Sequence, residues 1–154
     1  MADTDEPDWL SKDELWAWQA LATVLMRLPG ILDTQLQRDA GINFFEYLVL
    51  SGLSMAPDRT MRMSELADAA QGSLSRLSQG VARLEKRGWV RRCPDPADGR
   101  YTLATLTNDG LAMVTATAPG HAQAVRRHVI SPLTKTQQRQ LQAISNRIVD
   151  TFDY

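Results

Sequence analysis

The sequence predicts a mainly α-helical fold carrying one small β wing. Three observations lead there. Capped helical periodicities run over most of residues 11–86 and 107–152. Only residues 89–106 alternate like strands, and a dense turn, "CPDPADGR", splits that stretch in two.

Ser11 opens the first helix, and Glu14 three residues later gives the reciprocal capping-box spacing. Leu15, Trp18, Ala22, Leu25, Leu28, Leu32 and Leu36 recur at helical spacing until Gly41 stops the run. Pro29-Gly30 interrupts it. A proline inside a helix removes a hydrogen bond and crowds the preceding turn, so a kink or break is expected there. "NFFEYLVLSGLSMAP" gives a second helix of about ten residues, capped by Asn43 and ended before Pro57.

"MSELADAA" gives a short third helix, capped by Ser64, with Leu66, Ala67 and Ala70 facing inward. "QGSLSRLSQGVARLEKRG" gives a fourth. Ser73 caps it, Leu77, Val81 and Leu84 form its apolar stripe, and Gly88 supplies the left-handed residue that ends it. Leu74 and Leu77 are expected to turn inward or sideways. Gly80 inside this helix costs about 1 kcal/mol relative to alanine, which a close approach to the third helix would explain.

"WVRRC" and "YTLATL" read as the two wing strands. Thr107 caps a fifth helix bearing Leu111, Val114, Ala118, Val125 and Val129, with a bend expected at Pro119. Thr134 and Gln137 repeat the capping-box spacing for the last helix, whose stripe is Leu141, Ile144, Ile148 and Phe152. Short helix, tight turn, polar helix and hairpin make up the winged helix-turn-helix order. The outer helices have apolar stripes too wide for one small core. Left unpaired they would expose a sizeable patch, which argues for a dimer.

Composition sets the frame. The 154 residues fit one domain, 44% hydrophobic and 23% charged. The single cysteine, Cys93, excludes an intramolecular disulfide and fits a reducing compartment. The acidic N-terminus lacks the basic and apolar regions of a signal peptide. No stretch approaches roughly 18 uninterrupted apolar residues. The chain therefore reads as cytoplasmic, with no membrane partner. The net charge of −1 hides a segregation: residues 1–40 hold three Lys/Arg against eight Asp/Glu, and residues 59–100 hold nine against five. A local basic block suits an anionic partner, although a solvated face gives the same composition.

Catalysis finds no support. No Gly-rich phosphate loop follows a strand, no His-Glu-x-x-His occurs, and "DPADG" lacks calcium-loop spacing, so no catalytic residue and no cofactor is expected. His121 and His128 stand seven apart on one helical face. With Cys93 they are too few to predict a metal site, and pocket-lining or interface positions are the ordinary alternative. Cys93, flanked by Arg91 and Arg92, is either a redox-sensing thiol or a plain strand residue, the latter favoured.

The stretches "MSELADAAQGSLSRLSQGVARLEKRGWVRR", "DPADGR" and "LTNDGL" carry a resemblance. A helix ending in Leu84-Glu85 leads to Gly88, then to a wing holding Asp98-Gly99-Arg100, then to Leu106-Thr107-Asn108-Asp109-Gly110. In that order and spacing the sequence resembles the MarR family of bacterial transcriptional regulators, from about residue 15 to about residue 150. By composition residues 1–10 read as an acidic tail; with the resemblance, residues 11–40 and 108–154 are expected to form a helical dimerisation region and 41–107 a winged helix-turn-helix DNA-binding region. The resemblance also implies a homodimer on an inverted-repeat double-stranded operator, acting as a repressor released by a small, commonly aromatic effector. Trp16, Tyr47 and His121 are the candidate lining of such a pocket, or else packing residues. In many relatives a second basic residue stands where this chain has Gly99.

Roles follow from geometry. Ser75, Arg76 and Gln79, early in the fourth helix, are assigned to base edges; arginine suits guanine and glutamine suits adenine. Ser64, Arg83 and Lys86 are assigned to phosphates. At the wing, Arg100 would enter a minor groove with Asp98 orienting it, or the two merely stiffen the turn. The alternative function is a winged-helix protein–protein interaction module without sequence-specific DNA binding.

Overall fold

A computed structural model describes residues 8–152, so most of the expected acidic tail lies outside the described residues. The elements are α1 (Lys12–Ala40), α2 (Phe44–Met55), a 3-10 turn (Pro57–Arg59), β1 (Thr60–Arg62), α3 (Met63–Ala69), α4 (Leu74–Lys86), β2 (Val90–Pro94), β3 (Thr102–Leu106), α5 (Asn108–Val125), a π-helical turn (Arg126–Ile130) and α6 (Lys135–Val149).

Five of the six helix starts among the described residues follow the expected chemistry, Thr107 accepting from the Gly110 N–H at the start of α5. Ser11, Asn43 and Thr134 each exchange hydrogen bonds with the residue three places on, and Ser73 accepts from the Arg76 N–H. The third does not. Arg62, not Ser64, is the N-cap of α3, and Ser64 lies one residue inside the helix. The Glu65 carboxylate accepts from the Arg62 N–H at 3.4 Å, so the cap is made by the glutamate reaching back rather than by a serine hydroxyl. Helix α1 passes through Pro29 without the expected break; the adjacent Gly30 carbonyl accepts from the Thr34 hydroxyl at 2.8 Å. Helix α5 likewise continues past Pro119, and regular winding is lost only at the π-helical turn.

The wing is a three-stranded antiparallel sheet in the order β1-β3-β2, not the two-stranded hairpin expected. Thr60 pairs with Thr105 on one side of β3, and Val90 with Leu106 on the other. β1 therefore ties the entry of α3 to the wing. The core gathers Leu36, Ile42, Val49, Leu50, Leu53, Leu66, Leu77, Val81 and Leu84, all fully buried. Truncating one such leucine to alanine typically costs about 2–5 kcal/mol. Gly88, at φ +75°, turns the chain out of α4 in a conformation that costs a side chain strain.

The faces expected to need a partner are bare in the single chain. Leu15, Trp18, Leu21, Val24 and Leu25 of α1 are exposed, as are Leu141, Ile144 and Ile148 of α6 and Phe152 just beyond it. By mean hydropathy, 1.2 over an 18-residue window, α1 is also long and apolar enough to cross a membrane. A criterion of uninterrupted apolar residues passes over this because Gln19, Thr23 and Arg27 break the run. The C-terminal part of α1 is packed inside the protein, with Leu32, Gln35 and Leu36 buried.

Candidate nucleic-acid interface

At about 100° per residue, Ser75, Gln79, Ala82 and Lys86 form one line along α4, opposite the buried stripe of Leu77, Val81 and Leu84. Ser75, Gln79 and Lys86 are exposed. Arg76 and Arg83 lie together on one flank of that line, and Leu74, Ser78 and Glu85 on the other. Of the inward or sideways placing expected for Leu74, the helix shows the sideways one, and the side chain is 55% exposed. It lines a concavity of about 380 Å³ between α4 and the wing, together with Ser64, Ser78, Arg92 and Arg100. An apolar side chain can occupy that place because the concavity partly shelters it.

The flanking arginines are held from behind. The Arg76 guanidinium carbon lies 4.2 Å from the centroid of the Phe45 ring, a cation–π arrangement. Arg83 Nε donates to Glu46 Oε1 at 2.7 Å. Gly80 faces the Phe45 ring, 3.4 Å from where a Cβ would sit, so the helix approaching it is α2 and not α3 as expected. Gly72, in the turn before α4, lies closer still: a Cβ there would stand 2.5 Å from Phe45 Cε2. Any side chain there would push the ring out.

The wing tip is a tight charged turn. Asp98 accepts from the Arg100 backbone N–H at 3.2 Å and from its Nη2 at 2.6 Å. These bonds hold the Asp98 carboxyl below the usual carboxylate range. The Arg100 side chain is nevertheless 84% exposed, so its charge is presented outward. Behind the tip, Arg62 bonds Asp95 at 2.9 Å and stacks on the Tyr101 ring, while Arg92 bonds Glu85 at 2.6 Å. The Arg92 bond also lowers the Glu85 carboxyl. Two of the basic residues counted in the sequence are thus committed to holding the wing against α3 and α4. No carboxylate pairs with Arg76, Lys86 or Arg91 among the described residues.

The chain of α4, the wing and their braces matches a known pattern. A sequence model described as the MarR family matches residues 40–100. The fold superposes with a TM-score of 0.92 on Sco3205, a MarR family transcriptional regulator from Streptomyces coelicolor solved in complex with DNA, at 42% identity over 96% of this chain and 93% of that one. The chain belongs to the MarR family. A second MarR family regulator from the same organism, AbsC, is 35% identical over 92% of this chain and 95% of its own, with a TM-score of 0.87. The regulator PecS of Dickeya dadantii is 29% identical over 85 residues. The match spans about half of PecS, 51% of its length.

In this MarR-family chain the candidate pocket residues separate. Tyr47 and His121 pack as tilted rings with centroids 4.4 Å apart, and Phe44 lies 5.9 Å from the same imidazole. Burial raises the Tyr47 hydroxyl and lowers the His121 imidazole from their ordinary values. Trp16 is 56% exposed near the start of α1, under the Lys12 ammonium, and is not brought to that pair within one chain. Among the described residues no three His, Cys, Asp or Glu side chains gather as a metal site. The supporting residues Phe45, Glu46, Arg62 and Tyr101 had no signal in the sequence, since each acts on a partner 27 to 39 positions away.

Proposed function

We infer that this protein is a cytoplasmic, homodimeric, sequence-specific double-stranded DNA-binding transcriptional regulator. The observation that carries the reading is the exposed line Ser75–Gln79–Lys86 on α4 beside the outward Arg100 of the wing, on a fold 42% identical to a regulator solved on DNA. Ser75 and Gln79, with Arg76 on their flank, read base edges in the major groove. Ser64, Arg83 and Lys86 take phosphates, and Arg100, aimed by Asp98, takes the neighbouring minor groove.

Residues 41–107 are the DNA-binding region, and 11–40 with 108–154 the dimerisation region. The bare apolar faces of α1 and α6 support this division, because a second copy would cover them and place two recognition helices on successive major grooves. The hydropathy of α1 belongs to that dimer interface rather than to a bilayer. Repression relieved by a small ligand is the mode the family suggests. The half-buried His121 against Tyr47, where α5 meets α2, supports a ligand-sensitive joint there.

Fluorescence anisotropy with a labelled random duplex tests the reading. Arg83 and Lys86 from two protomers neutralise four phosphates, which predicts a loss of about 100-fold in affinity from 50 to 200 mM salt. Binding that ignores salt would favour a protein–protein role instead.

A further inference from the structure

We propose that Glu46, in the first turn of α2, is a positioning residue for DNA recognition: it aims Arg83 of α4 so that the arginine fixes the register of the bound duplex. The proposal rests on the DNA-binding reading above and assigns a role to a residue that does not itself face the DNA.

Glu46 is only 6% exposed, and both of its oxygens are engaged. Oε2 accepts the Asn43 backbone N–H at 3.0 Å, closing the capping box of α2, and Oε1 accepts Arg83 Nε at 2.7 Å. The carboxylate cannot swing away without opening the start of its own helix. Arg83 is held by one edge, yet its side chain remains 52% exposed. A guanidinium carries five N–H donors in a rigid fork, so the Nη groups stay available to a phosphate once Nε is committed.

The surroundings prevent the pair from drifting. One residue before Glu46, the Phe45 ring fills the space left by Gly72 and Gly80 and carries Arg76, which fixes the distance between α2 and α4. The same corner is tied to the rest of the protein. The Phe44 N–H donates to Asp33 of α1 at 2.8 Å, and Arg87 at the end of α4 donates to the Gly41 carbonyl at 2.8 Å. A phosphate contact made from so constrained a point sets register and orientation. Loose, sequence-independent association needs only the charge.

The variants separate aim from charge. Glu46→Gln is isosteric, but its one amide oxygen cannot serve both Asn43 and Arg83, and its NH₂ opposes whichever donor is left. Arg83→Lys keeps the charge on an exposed site, where folding is not at risk, and loses the fork. Affinities for a duplex selected by the wild type and for a random duplex would be measured by anisotropy, with thermal unfolding alongside. In both variants the ratio of selected to random affinity should fall about five-fold or more, as coupling within one hydrogen-bond network allows. Random-duplex affinity should hold or rise in Glu46→Gln, where one negative charge is removed, and in Arg83→Lys should fall less than selected-duplex affinity does. Arg83→Ala should weaken both duplexes, and adding Glu46→Gln to it should change the ratio no further.

A wild-type ratio retained in Arg83→Lys overturns the proposal even if Glu46→Gln fails to fold. Equal loss on both duplexes in Glu46→Gln, or full additivity with Arg83→Ala, also overturns it and leaves Glu46 a plain structural support. A wild type with no preference for any duplex would instead remove the recognition reading on which the proposal stands.

Discussion

Adding one methyl group at Gly110 should loosen the joint between the wing and α5. Gly110 sits in the first turn of α5, where its N–H donates to the Thr107 hydroxyl at 3.0 Å. Thr107 in turn donates to the Gly88 carbonyl at 2.7 Å and, through its backbone, to the Trp89 carbonyl at 3.0 Å. A Cβ at Gly110 would stand 2.7 Å from Leu106 Cδ1 and 3.0 Å from the Trp89 carbonyl carbon, and closer still to its oxygen. Leu106 could rotate aside, but the Trp89 backbone is pinned by those two bonds. Overpacking of this kind typically costs about 1–3 kcal/mol, and backbone that cannot yield puts Gly110→Ala at the upper end. Alanine returns at most about 1 kcal/mol of helix propensity. The net loss is about 2 kcal/mol, which for a chain of this size lowers Tm by about 4–8 °C. Gly99→Ala, with nothing within 4 Å of its Cβ, is the control and should leave Tm within about 2 °C. Calorimetry of the two variants decides the matter. Equal or higher Tm for Gly110→Ala would refute the close docking of α5 on the start of β2.

His121 predicts a pH dependence of stability. Its ordinary value is 6.5 and burial lowers it in the folded protein, so the unfolded chain takes up the proton first. Stability should therefore decline as pH falls below about 6.5, a window above the titration of Asp98 and Glu85. His121→Phe should flatten that decline in urea midpoints taken from pH 7 to pH 5.5, and an unchanged slope would exclude His121 as its source. Arg100→Ala should weaken selected and random duplexes, most at A·T-rich flanks, without shifting Tm. Unchanged affinity would leave the Asp98–Arg100 pair a stiffener of the turn. Gln79→Ala should cost about 1–3 kcal/mol on the selected site and relax preference at particular base pairs. Lys86→Ala should weaken all duplexes alike and lower the salt slope by about one unit per protomer. The reverse pattern would mean that α4 enters the groove by another face.

Local chemistry made α4 and the wing legible in the sequence. Ser73, the Leu77–Val81–Leu84 stripe, Gly88 and the Pro/Asp/Gly turn each act within a few residues, and each is found where expected. β1 was not legible, because three residues with no alternation of their own become a strand only by pairing with β3. Gly80 signalled a close approach but not its partner, since Phe45 precedes it by 35 positions. The Arg83–Glu46 and Arg62–Asp95 pairs were hidden for the same reason. Charge counting placed all nine arginines and lysines of residues 59–100 in one basic block, whereas the fold spends Arg62, Arg83 and Arg92 on buried or half-buried carboxylates. Pro29 does not end α1, which continues as one helix to Ala40.

Selection of bound duplexes from a random pool tests the central claim most directly. Two recognition helices related by a two-fold axis should enrich an inverted repeat whose half-sites lie about 10–10.5 base pairs apart, centre to centre, or a multiple of that spacing. Enrichment of a lone half-site would contradict the dimeric arrangement, and a pool that emerges unchanged would contradict sequence-specific DNA recognition itself.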